Sequence, residues 1–270
     1  VFNGNKLFSS RKVRSQPIVK YPDNVRKALN INKVFHSGIF QLETKRKQAL
    51  YDRCYLFEDV NYINKNKDEQ KNFLLDLMLW LNSMNVQFKI TLANEYQSMD
   101  EFLRSIRVEK NAEKYPDIAE GIHQWQEENI EDVNPSVTTM RYLTVTCTAD
   151  SEDNAKIYLN ALENTIVDAF TGWGSRIEKL NGMERLRALY SIIQPGKDDQ
   201  DYITADGTRD WKNDVMPKSI RQYRNFMVFG DDTYVSVLFG WKHRRSIDSD
   251  TFIRNLSNLS YPSFLTMDFA

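Results

Sequence analysis

Leu180–Asp198 reads LNGMERLRALYSIIQPGKD and ends in Gly196-Lys197, the dipeptide that finishes a phosphate-binding loop. Such a loop needs Gly-x-x-x-x-Gly-Lys-Ser/Thr between a strand and a helix, because its backbone N–H groups must wrap the phosphates. Here Ser191 stands where the first Gly belongs, and Asp198 replaces the Ser or Thr that would hold magnesium. An Asp beside a triphosphate would also be repelled. Met183, Leu186, Leu189, Tyr190 and Ile193 recur at helical spacing, Asn181 and Glu184 form a capping-box pattern, and Pro195-Gly196 follows. The stretch is therefore an amphipathic helix and its stop.

Working outward, MRYLTVTCTA (140–149) alternates as a strand, and a long helix opens at Asp150 or Ser151. Its apolar stripe is Ala155, Tyr158, Leu159, Leu162, Ile166 and Phe170, and it stops at Gly172-Trp173-Gly174 before the short strand SRIEKL. Residues 196–217 are polar and without periodicity, as in a surface loop. Upstream, GIFQLE and RCYLFEDV are strand candidates. They are followed by the helix DEQKNFLLDLMLWLNSM, capped by Asn66 with Glu69, and by the alternating strand VQFKITL. The expected buried face of that helix holds Phe73, Leu74, Leu77, Met78, Leu81 and Met84. Downstream, RNFMVFGDDTYVSVLFGW is a hairpin about Gly-Asp-Asp, with a helix at DSDTFIRNLSNL and a strand at SFLTMDF. The expected class is α+β, with antiparallel or mixed sheets from two β-β-α-β units packed with helices, ferredoxin-like in style.

The 270 residues are 41% hydrophobic and 27% charged, the composition of a globular protein with a sizeable core. No apolar run approaches the roughly 18 residues that cross a bilayer, and the first residues lack the apolar segment of a secretory leader. Two cysteines, Cys54 and Cys147, do not indicate a disulfide framework and fit a reduced, cytosolic setting. Net charge is −1 but unevenly spread. Residues 1–60 hold twelve Lys/Arg against five Asp/Glu, whereas residues 94–135 hold four against eleven. Residues 1–35 read as a basic extended arm in which Lys6, Arg11, Lys12, Arg14 and Lys20 are the candidate docking residues for a partner or a membrane. A solvated tail is the competing reading of the same charges. The acidic stretch Met99–Glu131, broken at Pro116, has helical character.

Catalytic chemistry is thinly supplied. His36, His123 and His243 lie far from one another and from the cysteines, so no zinc spacing exists. Cys147 sits in an alternating strand, as a core residue would, and no Gly-x-Ser-x-Gly elbow occurs. The clusters Asp198-Asp199-Asp201, Asp231-Asp232 and Asp248-Asp250 fit a loop, a hairpin turn and a helix cap better than a metal site. Trp80 falls within a helix and Trp241 at a strand end, which does not make a base-stacking platform. Arg244-Arg245 beside Trp241 reads as a solvated strand end, with phosphate contact as the alternative.

MRYLTVTCTADSEDNAKIYLNALENTIVDAFTGWGSRIEKLNGMERLRALYSIIQPG resembles the middle of the N-terminal domain of the TrbE/CagE/TraC-type (VirB-type) ATPases of conjugation and type IV secretion. KVFHSGIFQLETKRKQALYDRCYLFEDVNY resembles the hairpin that begins that domain, and TYVSVLFGWKHRRSIDSDTFIRNLSNLSYPSFLTMDF its closing strand, helix and strand. The resemblance covers roughly residues 33–270 and rests on the order and spacing of apolar positions with a few Gly, Pro and Arg. It implies a cytoplasmic ATPase, peripheral on the inner face of the membrane, energising DNA transfer through a conjugation channel. Its Walker motifs, with ATP and magnesium, are expected in a C-terminal motor domain beyond these residues. For this chain it implies no catalytic, cofactor-binding or metal-binding residue. The basic arm 1–35 then precedes an α+β non-motor domain at 36–270, with lobes at 36–135 and 136–270. The implied partners are membrane-embedded channel subunits, the motor domain and further copies of the chain. The Lys-, Asn- and Ile-rich style resembles that of a conjugative element, such as a conjugative transposon, of a low-GC Gram-positive bacterium.

Three readings stand: a docking and assembly domain of a conjugation ATPase, a nucleic-acid-binding module using the basic arm and Arg244-Arg245, and an Asp-based metal-dependent enzyme.

Overall fold

The computed structural model describes residues 29–42, 48–96, 137–195, 210–237 and 262–269, with Gly121 and Lys197. The expected arm up to residue 28, the acidic stretch at 99–131, Trp241, Arg244-Arg245 and the helix at 248–259 lie outside the described residues. The elements are β1 (Ile31–Val34), β2 (Ile39–Leu42), β3 (Ala49–Phe57), α1 (Lys67–Ser83), β4 (Gln87–Tyr96) and β5 (Val137–Ala149). They continue with α2 (Glu152–Gly172), β6 (Ile177–Lys179), α3 (Gly182–Ile193), α4 (Trp211–Val215), β7 (Ile220–Gln222), β8 (Met227–Phe229), β9 (Thr233–Val235) and β10 (Ser263–Phe269).

The fold is α+β, with a seven-stranded sheet in the order β1-β2-β3-β5-β4-β10, β6 running beside the end of β3, and a separate sheet β7-β8-β9. Every pairing is antiparallel. Since β3 and β4 both run antiparallel to β5, they are parallel to each other, and α1 connects them across the strand between. In the same way α2 links β5 to β6 across β3. The two crossovers interleave, so the centre of the sheet draws strands from both halves of the chain.

Side-chain alternation along β3 assigns the two faces. Tyr51, Arg53 and Tyr55 share one face with Leu143 and Val145 of β5, their direct cross-strand partners or neighbours, and with Phe88 of β4. This first face is covered by α2 through Ala155, Leu159, Ile166 and Phe170 and by α1 through Trp80, all in one buried cluster. The opposite face presents Phe40, Cys54, Ala93 and Tyr142, and α3 covers it with Leu186, Tyr190 and Ile193. Val215 and Met216 close that second core, with Ile220 and Phe229 of the small sheet packed against it.

Local chemistry sets the helix ends. In α1, Asn66 accepts from Glu69 N while the Glu69 carboxylate accepts from Asn66 N, a complete capping box. Asn181 and Glu184 build the same box at α3, where Asn181 also accepts from Met183 N. Ser151 caps α2, and the helix ends at Trp173, after which Gly174 turns left-handed at φ +79°. Aromatic rings lock the two first-face helices together: Trp80 lies 5.5 Å from Trp173 and 5.8 Å from Phe170, and Phe73 lies 5.6 Å from Trp173.

Four local expectations change. Residues 31–34 of the expected arm form the edge strand β1, because Ile31 is buried in the second core. Residues 211–215 form a helix rather than loop, capped by Asp210, with Val215 buried. The hairpin and the terminal strand do not share a sheet: β8 and β9 pair with β7, whereas β10 pairs with β4 along Ser263–Phe269. Leu74 and Met78 are exposed, and Trp80 takes the buried centre of α1.

Candidate interaction surfaces

Two charged clusters inside the fold pin the helices to the sheet. Arg185 of α3 is buried, with Nη2 2.8 Å from Asp52 Oδ1. Its Nη1 donates to the carbonyls of Gly38 (2.8 Å) and Asp52 (3.1 Å), and its guanidinium lies 3.7 Å from the Phe40 ring centroid. Asp52 Oδ1 has no aligned hydrogen-bond donor, so its tie to Arg185 is coulombic. On the opposite face Arg53 donates to Asn160 and Glu163 of α2, each at 2.8 Å, and Lys179 of β6 reaches the same Glu163 at 2.8 Å. These groups tie the helices to the sheet, although Arg53 Nε, like Asp52 Oδ1, is buried without a hydrogen-bond partner.

The thiols are inert by environment. Burial pushes the Cys54 thiol up, with Asp52 adding to the rise and Arg185 and Thr144 opposing it. Cys147 is pushed up to about 11, chiefly by burial. Both are free and buried, as a core role for Cys147 expects. A thiol held protonated at neutral pH is a poor nucleophile.

Lys197 Nζ sits 3.8 Å from Asp232, on the hairpin turn that Gly230 opens at φ +63°. Asp231-Asp232 is thus a turn, with Arg221 3.8 Å from Asp231. Among the described residues no three His, Cys, Asp or Glu side chains cluster as metal ligands. Asp198-Asp199-Asp201, Asp248-Asp250, His123, His243 and the arm residues Lys6, Arg11, Lys12, Arg14 and Lys20 lie outside the described residues. Among the described residues, no helix is long and apolar enough to cross a membrane.

What remains is surface. Leu74, Leu75, Met78 and Leu79 of α1 are 46%, 48%, 59% and 68% exposed, against a buried opposite arc centred on Leu77 and Trp80. At about 100° per residue the four span one continuous arc, so α1 has two apolar faces and the sheet satisfies only one. The ridge is on the order of a few hundred Å², the size at which apolar patches on soluble proteins mark contacts. A second exposed group gathers at the turn between β7 and β8. Tyr223 stacks on Phe226 at 4.7 Å and Phe226 lies 5.7 Å from Tyr234, with Arg224 next to Tyr223 in the chain.

The sequence pattern concealed the ridge, since periodicity alone places Leu74 and Met78 with the buried set. The one available signal was the FLLDLMLWL run, interrupted only by Asp76, which is too apolar for a helix with a single buried face. No family model matches the chain, and no curated protein matches it.

Proposed function

We propose that this chain is a non-catalytic docking and assembly domain of the TrbE/CagE/TraC-type conjugation ATPases, holding a motor domain to membrane-embedded channel subunits. The observation that carries the reading is the exposed apolar ridge of α1, a surface of the kind that another protein covers. The stretch resembling that family supports it, since residues 140–195 run through β5, α2, β6 and α3 as one continuous unit of the core. ATP and magnesium belong to the motor in this reading, and the chain works on the inner face of the membrane.

The test is flotation of the full chain with membranes from cells that carry the conjugation channel and from cells that lack it. Association with the first alone is the expected result, weakened by deletion of residues 1–28, which removes the basic side chains and keeps Ile31 in its core. Equal association with both membranes, or with neither, would refute the reading.

A second reading is nucleic-acid contact, favoured by the aromatic cluster Tyr223, Phe226 and Tyr234, with Arg224 next to Tyr223 in the chain. Fluorescence anisotropy with a single-stranded oligonucleotide would then show affinity that falls steeply with salt and is lost in Tyr234→Ala.

A further inference from the structure

The geometry points to a two-fold dimer of this chain, joined along the outer edge of β10 and roofed by the apolar ridge of α1. It assigns an occupant to the ridge that carries the assembly reading, and so rests on that reading.

The two edges of the large sheet are built differently. β1 has four residues, a register shift between Ile31 and Lys33, and a lysine, which are devices that keep foreign strands off an edge. β10 has seven residues in unbroken register with β4, without proline, lysine or bulge, and its outer edge is unpaired among the described residues. Such an edge is a template for a further strand.

β10 is also complementary to itself. In an antiparallel pairing centred on Thr266, Leu265 meets Met267 of the second copy, Phe264 meets Asp268 and Ser263 meets Phe269. No like charges oppose one another, and the apolar pairs continue the first face of the sheet.

The buried side of α1 reaches toward this same edge. Trp80 rests 5.6 Å from Phe88 of β4, and Phe88 stacks 4.7 Å from Phe269 of β10, which places α1 on the β10 side of α2. Around the α1 axis, Phe73, Leu77, Trp80 and Leu81 pack on the first-face cluster, Phe73 and Trp80 against Trp173, and Leu74 and Met78 come next, on the side away from Trp173. Pairing β10 with its copy sets the two β4 strands about 14 Å apart, three strand spacings. Helices lying over that boundary on the same face approach the 8–10 Å or so of packed helices. One operation therefore satisfies the strand edge and brings Leu74 and Met78, the lateral part of the ridge, toward their copies.

Light-scattering mass measurements on the full chain across a dilution series test this. The expected result is a dimer, weakened roughly tenfold or more in Thr266→Lys and in Thr266→Glu, whose like charges meet at the two-fold. Mixing those two variants restores it, because the charges are then opposite. Met78→Glu, at an exposed position, weakens the dimer while leaving the circular dichroism spectrum and melting temperature of the monomer unchanged. A chain that stays monomeric, or a dimer indifferent to the charge at position 266 or to Met78→Glu, overturns the proposal. A monomer that still floats with channel-bearing membranes separates that failure from failure of the docking reading.

Discussion

Arg185 on α3 and Asp52 on β3 are each about nine-tenths buried, and their charged groups meet at 2.8 Å beneath the β1–β2 turn. The same guanidinium donates to the carbonyls of Gly38 and Asp52, so one side chain ties a helix, a hairpin and the central sheet. Arg185→Met leaves Asp52 as an uncompensated buried charge and is expected to cost about 3–5 kcal/mol in urea unfolding. Asp52→Leu combined with Arg185→Met is expected to cost less than Arg185→Met alone. A larger loss in the double variant would show that the pair does not hold the second face.

Gly38 turns left-handed at φ +79°, and a Cβ there would lie 2.0 Å from the backbone oxygen of Leu180. Gly182 is the reciprocal contact, where a Cβ would stand 2.6 Å from the oxygen of Phe35. Neither obstacle is a flexible side chain, so each Gly→Ala change must move the β1–β2 turn away from the start of α3. A loss of about 2 kcal/mol or more is expected for Gly38→Ala, with a smaller loss for Gly182→Ala. Melting temperatures that match the parent protein would contradict this close approach.

Stability should decline on the alkaline side. Burial raises Cys147 from its ordinary 9.0 to about 11 and Tyr55 from 10.0 to about 12. Both are neutral when protonated, and the unfolded chain loses these protons first. The stabilisation is therefore complete below pH 9 and is lost as pH rises through the window from 9 to 12. Urea midpoints measured from pH 8 upward should be flat and then fall. In parallel, Cys54 and Cys147 should resist alkylation in the native protein and react readily in urea.

Among the described residues capping boxes open two helices, and removing one should be felt locally. Asn181→Ala takes away the acceptor for Met183 N and Glu184 N, with an expected cost of about 1 kcal/mol. Asn181→Asp keeps that acceptor and should recover most of the loss. An alanine variant as stable as the parent would show that the tertiary contacts of α3 hold its first turn unaided.

Titration calorimetry with ATP and magnesium is expected to give no saturable heat. Lys197, the lysine of the Gly-Lys pair, lies against Asp232 on the hairpin turn. Micromolar affinity would place a nucleotide site in this chain and contradict the reading of a partner domain.

Much of the architecture was legible because local rules dominate it. Asn66 with Glu69 and Asn181 with Glu184 are short-range patterns whose hydrogen bonds form within one turn, and both boxes stand in the structure. The alternation of β4 and β5, the stop at Gly172-Trp173-Gly174 and the turn at Asp231-Asp232 are local in the same way. The 211–215 helix escaped notice because five residues are too few to show a period, and burial of Val215 stabilises it from outside. The ridge escaped for a different reason. On FLLDLMLWL almost any face is apolar, so the sequence could not say which side meets the sheet.

By itself, then, the sequence determined the helices α1, α2 and α3 with their caps, the strands β3, β4 and β5, and the α+β class, since each depends on neighbours a few residues apart. Only the tertiary structure decided that β5 enters between β3 and β4, that β10 leaves the hairpin to pair with β4, and that Trp80 rather than Leu74 or Met78 faces the core. Those choices depend on contacts between residues far apart in the chain: the pairing of Thr266 with Thr91, or of Arg185 with Asp52, has no trace in any local window.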